Sequence, residues 1–538
     1  MIFGPTPIDD AVGAILAHGT RHAGGMFKKG RVLSADDIAA LKAAGHAHVI
    51  VARLSDDDVP EDEAARRISI AACGAGARPQ EAFTGRANLY SSSHGLLLVD
   101  ETRLRAINHL HESLTIATLP NFSRVEQRHM VATIKVIPFA VPRKVFDEAL
   151  AVIADAPLLK VQAFVPKRAG LVITRLPQTK PSLIAKSEDA IRRRLSALGA
   201  TLAGVLVCDH ADTAVAEAIR VLKDQGLDPV LVFGASAIVD RADVIPAAVV
   251  KAGGTVRHLG MPVDPGNLLM LAQLGETPVI GVPSCARSPK VNGFDWVLER
   301  LIADAPVARS DLMDMGLGGL LAEIPSRPSP REGQGEVPVS PRAVVLVLAA
   351  GLSSRMGVPK MLADFQGQPL IRASVQNALS SSADEVIVVT GHRSDEVMAA
   401  LAGLKLRFVH NPDFASGLST SLRCGVQAIA GKADCVIVHL GDMPLVKGQV
   451  FDRLIAAFNP IEHRSVIVPT CKGAFGNPVL WGAEHFARLG GLDGDKGARN
   501  LIAEMKSGTI EIDAGSDSVL RDVDTPGDLE ALRTASAV

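Results

Sequence analysis

No regular element can run through residues 322–342, which read AEIPSRPSPREGQGEVPVSPR. Pro325, Pro328, Pro330, Pro338 and Pro341 each lock φ and remove a backbone donor, so helix and central strand are both excluded. The composition predicts an extended, solvated linker. It divides a C-terminal unit, 343–538, from all that precedes it. A chain of 538 residues is also too long for one core; ordinary domain sizes suggest roughly two to four.

After the linker the pattern changes at once. AVVLVLAAG is a short apolar run rich in β-branched residues, as a strand buried on both faces requires. EVIVVTG, LRFVHN, CVIVHLGD and SVIVPT repeat it. Between them Leu370, Ile371, Val375, Ala378 and Leu379 recur at helical spacing. Strands alternating with helices predict an α/β fold with a doubly wound, mostly parallel, Rossmann-like sheet.

Ahead of the linker, 166–321 alternates in the same way: GLVITRL, a helix over Ser187–Leu198, GVLVCD, a helix over Asp212–Gln225, PVLVFG, TPVIGVP and a helix near Val297–Ala303. A second α/β domain is expected there. Residues 1–165 mix a helix near Ala35–Ala44 with HVIVARL, GLLLVD, TIATLP and HMVATIKVIPFAV, and read as an α+β region. No internal repeat of fixed period occurs.

Composition removes several function classes. Net charge is −2 and aromatics make up 4%, with no basic stripe interleaved with rings, so a nucleic-acid partner is not expected. No run of about 18 apolar residues marks a membrane span. Asp9 and Asp10 precede the short apolar stretch near the N-terminus, unlike a secretion signal, and the cytoplasm is the expected compartment. The six cysteines (Cys73, Cys208, Cys285, Cys424, Cys435, Cys471) form no C-x-x-C pair and are expected to be buried, reduced thiols. His18 and His22 lie at i,i+4 without an accompanying carboxylate ligand, so a metal role is not expected of them.

The strand VVLVL runs directly into AAGLSSRMGVPK, Ala349 to Lys360. A loop at the carboxyl end of the first strand of a parallel sheet is where such folds bind ligands. Ala349, Ala350, Gly351 and Gly357 let backbone N–H groups approach a phosphate chain, Ser353 and Ser354 add hydroxyls, and Arg355 and Lys360 add positive charge. The Gly351–Gly357–Lys360 spacing with Pro359 is neither a Walker loop nor G-x-G-x-x-G. CVIVHLGDMP places Asp442 at the end of another buried strand on the same edge, where a carboxylate suits magnesium.

LAAGLSSRMGVPK closely resembles the phosphate-binding signature of the molybdopterin nucleotidyltransferase family, which joins a nucleotide to the molybdenum cofactor. FQGQPLI, VVTGH, NPDFASGLSTSL, LGDMP, GAFGNPVLW, GDKGAR and DVDTPGDL follow in the family's order. The resemblance implies a nucleotidyltransferase with Mg2+ on Asp442 and Asp524, although an acid before Thr-Pro also caps helices. It implies catalytic roles for Lys360, Arg355 and Asp442, and nucleotide contacts from Leu348, Ala349, Ala350, Gly351, Ser353, Arg355 and Lys360. Gly417 and Ser419, near a helix start that attracts anions, join that set, with a plain helix cap as the alternative. Asn477 falls in what resembles the acceptor-side loop, where a hairpin turn is the other reading. Leu348-Ala349-Ala350-Gly351 resembles the loop of cytidylyl-transferring members, which implies CTP; guanylyl-transferring members usually carry a second glycine.

The implied substrates are CTP and molybdopterin, with molybdenum hydroxylases as clients of the product. Guanylyl transfer, transfer to a sugar phosphate, and a non-catalytic cofactor carrier or chaperone stand as alternatives. Upstream, VLVFGASAIVDRADVIPAAVVKAGG resembles the central motif of molybdopterin-binding domains, which implies Gly234, Ser236 and Asp243 as pterin-phosphate contacts. FKKGRVLSADDIAALKAAG similarly resembles the early part of molybdopterin molybdenumtransferases. Ala235, Ser284-Cys285 and VITRLPQT depart from that family's pattern, so a degenerate, purely structural domain is the alternative there.

Overall fold

Alternation of side chains along a strand decides how the C-terminal sheet is built. In the computed structural model, which describes residues 1–321, 340–351, 359–460, 464–492, 498–505 and 509–535, the run Ala343–Ala349 is a strand with every residue buried. Val345, Val347 and Ala349 pack on one face with Ile371 and Val375 of the helix Leu370–Leu379 and Phe451 of the helix Gly448–Ala457. Val344, Leu346 and Leu348 pack on the other with Leu422 and Val426 of the helix Leu418–Ile429. Successive side chains leave a pleated strand on opposite faces, so a run apolar at every position needs a helical layer on each side.

The same logic builds the domain before it. β1 (Arg168–Arg175), β2 (Thr201–Asp209), β3 (Val230–Phe233), β4 (Thr255–Leu259), β5 (Met270–Leu274) and β6 (Thr277–Val282) form one sheet in the order β2-β1-β3-β6-β5-β4. β1, β2, β3 and β6 run parallel, whereas β5 lies antiparallel to β6 and to β4. Leu171, Ile173, Leu231 and Phe233 face one core, while Val172, Val230 and Val232 face the other. The helices Pro181–Ala197, Asp212–Asp224 and Gly293–Ile302 stand where sequence periodicity places them. The antiparallel pair β4–β5 was not anticipated; TVRHL and MLAQL are too short and mixed for periodicity to separate from loop.

The first 165 residues hold two separate clusters of buried side chains. Residues 2–53 pair Ile2–Pro7 and Ile15–Leu16 with His48–Arg53 and cover them with the helix Ala35–Ala43. Ser34 and Asp37 start that helix as a reciprocal capping box. Residues 59–161 enclose a second core around Ile68, Leu89, Leu97 and Phe146.

In the C-terminal domain the strands are β7 (Ala343–Ala349), β8 (Glu385–Thr390), β9 (Arg407–His410), β10 (Cys435–Leu440), β11 (Val466–Cys471), β12 (Val479–Gly482) and β13 (Thr509–Asp513). The sheet order is β9-β8-β7-β10-β12-β11, with β13 beside β11. β9, β8, β7 and β10 are parallel, β12 opposes them, β11 and β13 resume their direction, and the short strand Ala474–Phe475 turns back antiparallel on β11. The loops that follow β7, β8, β9 and β10 therefore share one edge. The fold class read from the sequence, α/β with a Rossmann-like nucleotidyltransferase sheet preceded by a second α/β domain, is the one found.

Two sequence expectations need adjustment. Residues 322–339 of the linker lie outside the described residues, but Ser340 is buried where Arg128 donates to its carbonyl from Nε and Nη2 at 3.0 and 2.7 Å, while Arg342 is exposed. All six cysteines are free, yet Cys285 is exposed in the short turn Ser284–Arg287, and only Cys435 and Cys471 are fully buried. Among the described residues no helix is long and apolar enough to cross a membrane.

His439, at the core of β10, is wholly buried and bonded to Ser374 Oγ through Nε2 at 2.9 Å. Burial pushes its imidazole down to about 3, so it is neutral when folded. The unfolded chain, with an ordinary histidine near 6.5, binds the extra proton first, so stability is full above that value and falls as pH drops toward the folded one. Denaturation followed by Trp481 fluorescence in a Trp296→Phe background is expected to show the C-terminal domain losing about 1.4 kcal/mol per pH unit between pH 6 and 4 from this group. His439→Gln is expected to flatten that slope.

Candidate active site

Two glycines bring the loops of the shared edge into contact. Gly441, directly after β10, donates its N–H to the Leu348 carbonyl at 3.0 Å. A Cβ there would come within 2.7 Å of Ile371 Cδ1 and 3.0 Å of that carbonyl. Gly391, directly after β8, is equally confined: a Cβ would meet Phe414 Cβ at 2.6 Å and Ala350 Cβ at 2.8 Å. Only glycine allows backbones this close. The consequence is that Asp442 lies beside the end of β7.

Asp442 is 8% exposed, and the Lys360 ammonium forms an ion pair with its Oδ2. The same ammonium donates to Asp524 Oδ1 at 3.0 Å. Val523 donates its N–H to the Asp442 carbonyl at 3.2 Å, which carries Asp522 and Asp524 to the site. Ligand oxygens of Asp442, Asp522 and Asp524 lie within 4.8 Å of one another. Asp442 Oδ1 is buried and accepts no hydrogen bond among the described residues. Burial pushes the Asp442 carboxyl up, opposed by the charge of Lys360. Burial pulls Lys360 down, but Asp442 and Asp524 outweigh it and hold the ammonium above its ordinary value.

The competing reading of Asp524 as a helix cap is resolved by its neighbours. Thr525 and Asp528 cap the helix Pro526–Ala535: the Thr525 N–H and hydroxyl both donate to Asp528 Oδ2, at 2.7 and 2.8 Å, and the Asp528 N–H returns to Thr525 Oγ1. Asp524 is thereby left to face Lys360. The DVDTPGDL segment offers both Asp522 and Asp524, and the family resemblance favours Asp524 alone; Asp522 also converges on the cluster.

Other nominated residues fall as follows. Leu348, Ala349 and Ala350 are buried and Gly351 is exposed. Ser353 and Arg355 lie outside the described residues. Gly417, with φ 109°, precedes the helix Leu418–Ile429, whose first turn is held by Asn411 Nδ2 donating to Thr420 and Ser421 at 2.9 Å. Ser419 is 2% exposed, packed inward at that turn. Asn477 is not in the hairpin turn itself: Ala474 and Phe475 already pair back on Cys471 and Thr470, and Asn477 follows them, donating its N–H to the Val519 carbonyl at 2.9 Å.

In the preceding domain the carboxyl edge of β1, β2, β3 and β6 gathers Thr174, His210, Gly234–Ser236 and Arg287. His210 bridges Thr174 Oγ1 at 2.8 Å and Ser236 Oγ at 2.9 Å through its two ring nitrogens. Ala235 donates its N–H to Thr174 Oγ1 at 2.7 Å, and Arg287 Nη2 donates to the Gly234 carbonyl at 3.2 Å. Asp243 accepts the N–H groups of Val239 and Asp240 at 2.6 and 2.9 Å, which holds its carboxyl below the usual range. Sequence reading nominated Gly234, Ser236 and Asp243 and not Thr174, His210 or Arg287, which lie far away in the chain.

A family model described as "MobA-like NTP transferase domain" matches residues 345–509. The molybdenum cofactor cytidylyltransferase of Escherichia coli (strain K12) is 30% identical over 184 residues, spanning 34% of this chain and 91% of that protein. The chain belongs to the MobA-like NTP transferase family. The purine catabolism protein PucB of Bacillus subtilis (strain 168) is likewise 30% identical, over 36% of this chain and 98% of the relative. A solved nucleotidyl transferase from Methanothermobacter is 28% identical over 36% of this chain and 97% of its own, with a TM-score of 0.32 for the pair. This MobA-like domain thus makes the enzyme a nucleotidyltransferase, and about a third of the chain carries that relationship. A second model, for a domain of unknown function, matches residues 5–53.

The close approach at Gly391 gives a test of the site's scaffold. Gly391→Val forces a branched side chain between Ala350 and Phe414 and is expected to cost about 1–3 kcal/mol, measured by denaturant unfolding of the Trp296→Phe protein. A wild-type midpoint in that variant contradicts the packing described.

Proposed function

We propose that the C-terminal domain transfers CMP from CTP to the terminal phosphate of molybdopterin or its molybdenum-bound form, releasing pyrophosphate. The convergence of Lys360, Asp442 and Asp524 beside the end of β7 carries this reading. The fit of a divalent cation rests on the donor set: three carboxylates in reach of one another, one of them holding a buried oxygen with no partner. Hard oxygen ligands of that kind suit Mg2+, with Asp442 and Asp524 as the principal holders and Asp522 at the rim. Held by these residues, such an ion would supply charge neutralisation for the phosphates.

The rest of the work falls to the chain. A phosphate monoester has its second pKa near 6 and is mostly dianionic at neutral pH, so the attacking group needs no strong general base. Attack of its oxygen on the α-phosphorus forms one P–O bond as the bond to pyrophosphate breaks. The residues must therefore hold the two phosphates in line and offset charge on the leaving group. Lys360, on a flexible four-carbon stem, is the described cation placed to follow that charge. Ala350 and Gly351 line the nucleotide side, with Ala350 favouring the cytidine base. Gly417 and the helix behind it offer backbone N–H groups to phosphate, and Asn477 faces the acceptor.

We further read the Gly234–Ser236 loop and Asp243, supported by Arg287 and His210, as the pterin-phosphate site of the preceding domain. Two sites for one cofactor in one chain are consistent with binding upstream and nucleotide attachment downstream. The observation behind this is the gathering of those groups at a parallel-sheet edge, the usual ligand position in such folds.

The deciding assay is pyrophosphate release with Mg2+, molybdopterin and either CTP or GTP, separately and in competition. CTP turnover is expected to exceed GTP turnover, and Lys360→Ala or Asp442→Ala is expected to remove at least 100-fold of kcat with the fold intact by circular dichroism. Full rate in either variant rejects the assignment, and nucleotide binding without turnover favours a carrier role.

A further inference from the structure

The contacts of Lys360 say something about the order in which ligands enter. Its ammonium pairs with Asp442 Oδ2 and with Asp524 Oδ1 at 3.0 Å, two of the three carboxylates whose oxygens converge. A divalent cation drawn to the same oxygens would stand within a few ångströms of the ammonium. Two cations that close, at a site with only 8% of Asp442 exposed, repel strongly because little water screens them. We propose that Lys360 is the resident counter-ion of this carboxylate cluster and competes with the divalent ion for it. The ion then binds well only together with an anionic ligand that draws Lys360 away. The ligand recognised is accordingly the metal–nucleoside triphosphate complex, not free metal followed by free nucleotide.

Charge balance supports the exchange. Counted over the described residues alone, three carboxylates and one ammonium leave a net charge of −2 at the cluster. Asp442 Oδ1, buried without a partner among the described residues, is the oxygen still open to a cation, whereas Oδ2 belongs to Lys360. A triphosphate supplies new partners for the ammonium, and the cluster it leaves accepts a doubly charged ion instead. Lysine suits this role better than arginine: it is a compact point charge on a flexible stem, without a planar fork tied to one geometry. Pro359 before it and the short turn Lys360–Leu362 after it keep the backbone in place, so the exchange asks for movement of the side chain alone.

This inference rests on reading the site as one for nucleotides, and the test separates the two. Mn2+ binding to the full chain is measured by the electron paramagnetic resonance signal of the free ion. It is run with and without a CTP analogue carrying a methylene between the α- and β-phosphorus. Wild type is expected to bind Mn2+ at least tenfold more tightly with the analogue. Lys360→Met is expected to bind Mn2+ alone at least tenfold more tightly than wild type, with a smaller response to the analogue. Asp442→Asn is expected to lose binding in both conditions. Equal affinity of wild type and Lys360→Met for Mn2+ alone overturns the competition. If Lys360→Met gains affinity but wild type ignores CTP and GTP analogues alike, the competition stands and the nucleotide reading falls. Trp481 fluorescence confirms that each variant is folded. Should Lys360→Met unfold, Lys360→Gln and the wild-type response decide: tight binding of Mn2+ alone by wild type, unchanged by the analogue, rejects the proposal.

Discussion

Burial of Ala343–Ala349 on both faces is the constraint from which the C-terminal architecture follows. A strand with no polar position cannot lie at the surface, so it must have a neighbour on each side and a helix layer above and below. β8 and β10 supply the neighbours, both parallel to it. Parallel neighbours put their carboxyl ends together, and the chain must leave the sheet there through loops whose polar groups have no ladder partner. That edge is where ligand chemistry becomes affordable to the fold. Gly441 then sets backbone against backbone at the exits of β10 and β7, Gly391 packs against the Cβ atoms of Ala350 and Phe414, and the distance from loop to carboxylate is set by packing.

Electrostatics adds the second layer. A carboxylate as covered as Asp442 cannot stand alone; removing it from water costs several kcal/mol unless a partner compensates. Lys360 is that partner, and its own burial is in turn tolerated because Asp442 and Asp524 both face it. Capping of the last helix by Thr525 and Asp528 is part of the same arrangement, since it relieves Asp524 of a structural duty. The site is thus a group of mutually dependent charges placed by a sheet edge, and its members do not act as independent residues.

Much of this was legible in the chain. β-branched runs and helical periods gave the parallel sheet of both α/β units, because burial on two faces leaves a pattern that periodicity detects. Asp442 was legible because it follows closely on a strand end, and Lys360 because it sits in the small-residue loop that leaves β7. What stayed hidden depends on distance along the chain. The Ser374–His439 bond joins two positions whose local sequence looks like ordinary helix and ordinary strand. Thr174, His210 and Arg287 become partners of the Gly234–Ser236 loop only once four strands are aligned. β4 and β5 escaped because an antiparallel edge of mixed polarity leaves neither a continuous apolar run nor a clean alternation.

The linker shows how composition can be right about conformation and incomplete about contact. Prolines exclude regular structure, but they do not exclude docking. Ser340 is held by two hydrogen bonds from Arg128, and the same guanidinium pairs with Asp384 at 2.6 Å, just before β8. Arg342 donates its N–H to Asp434 Oδ2, just before β10, and Ala343 donates to Asp384 Oδ2. The amino ends of β7, β8 and β10 are therefore tied to one another and, through Arg128, to the 59–161 core. Lys28 adds a second tie, donating to the Thr509 carbonyl and pairing with Glu511 on β13. A nucleotidyltransferase domain on a free tether would make neither the Arg128 nor the Lys28 contacts. Their position at the amino edge of the sheet matters as much as their number, because Lys360 and the three aspartates lie at the opposite, carboxyl edge.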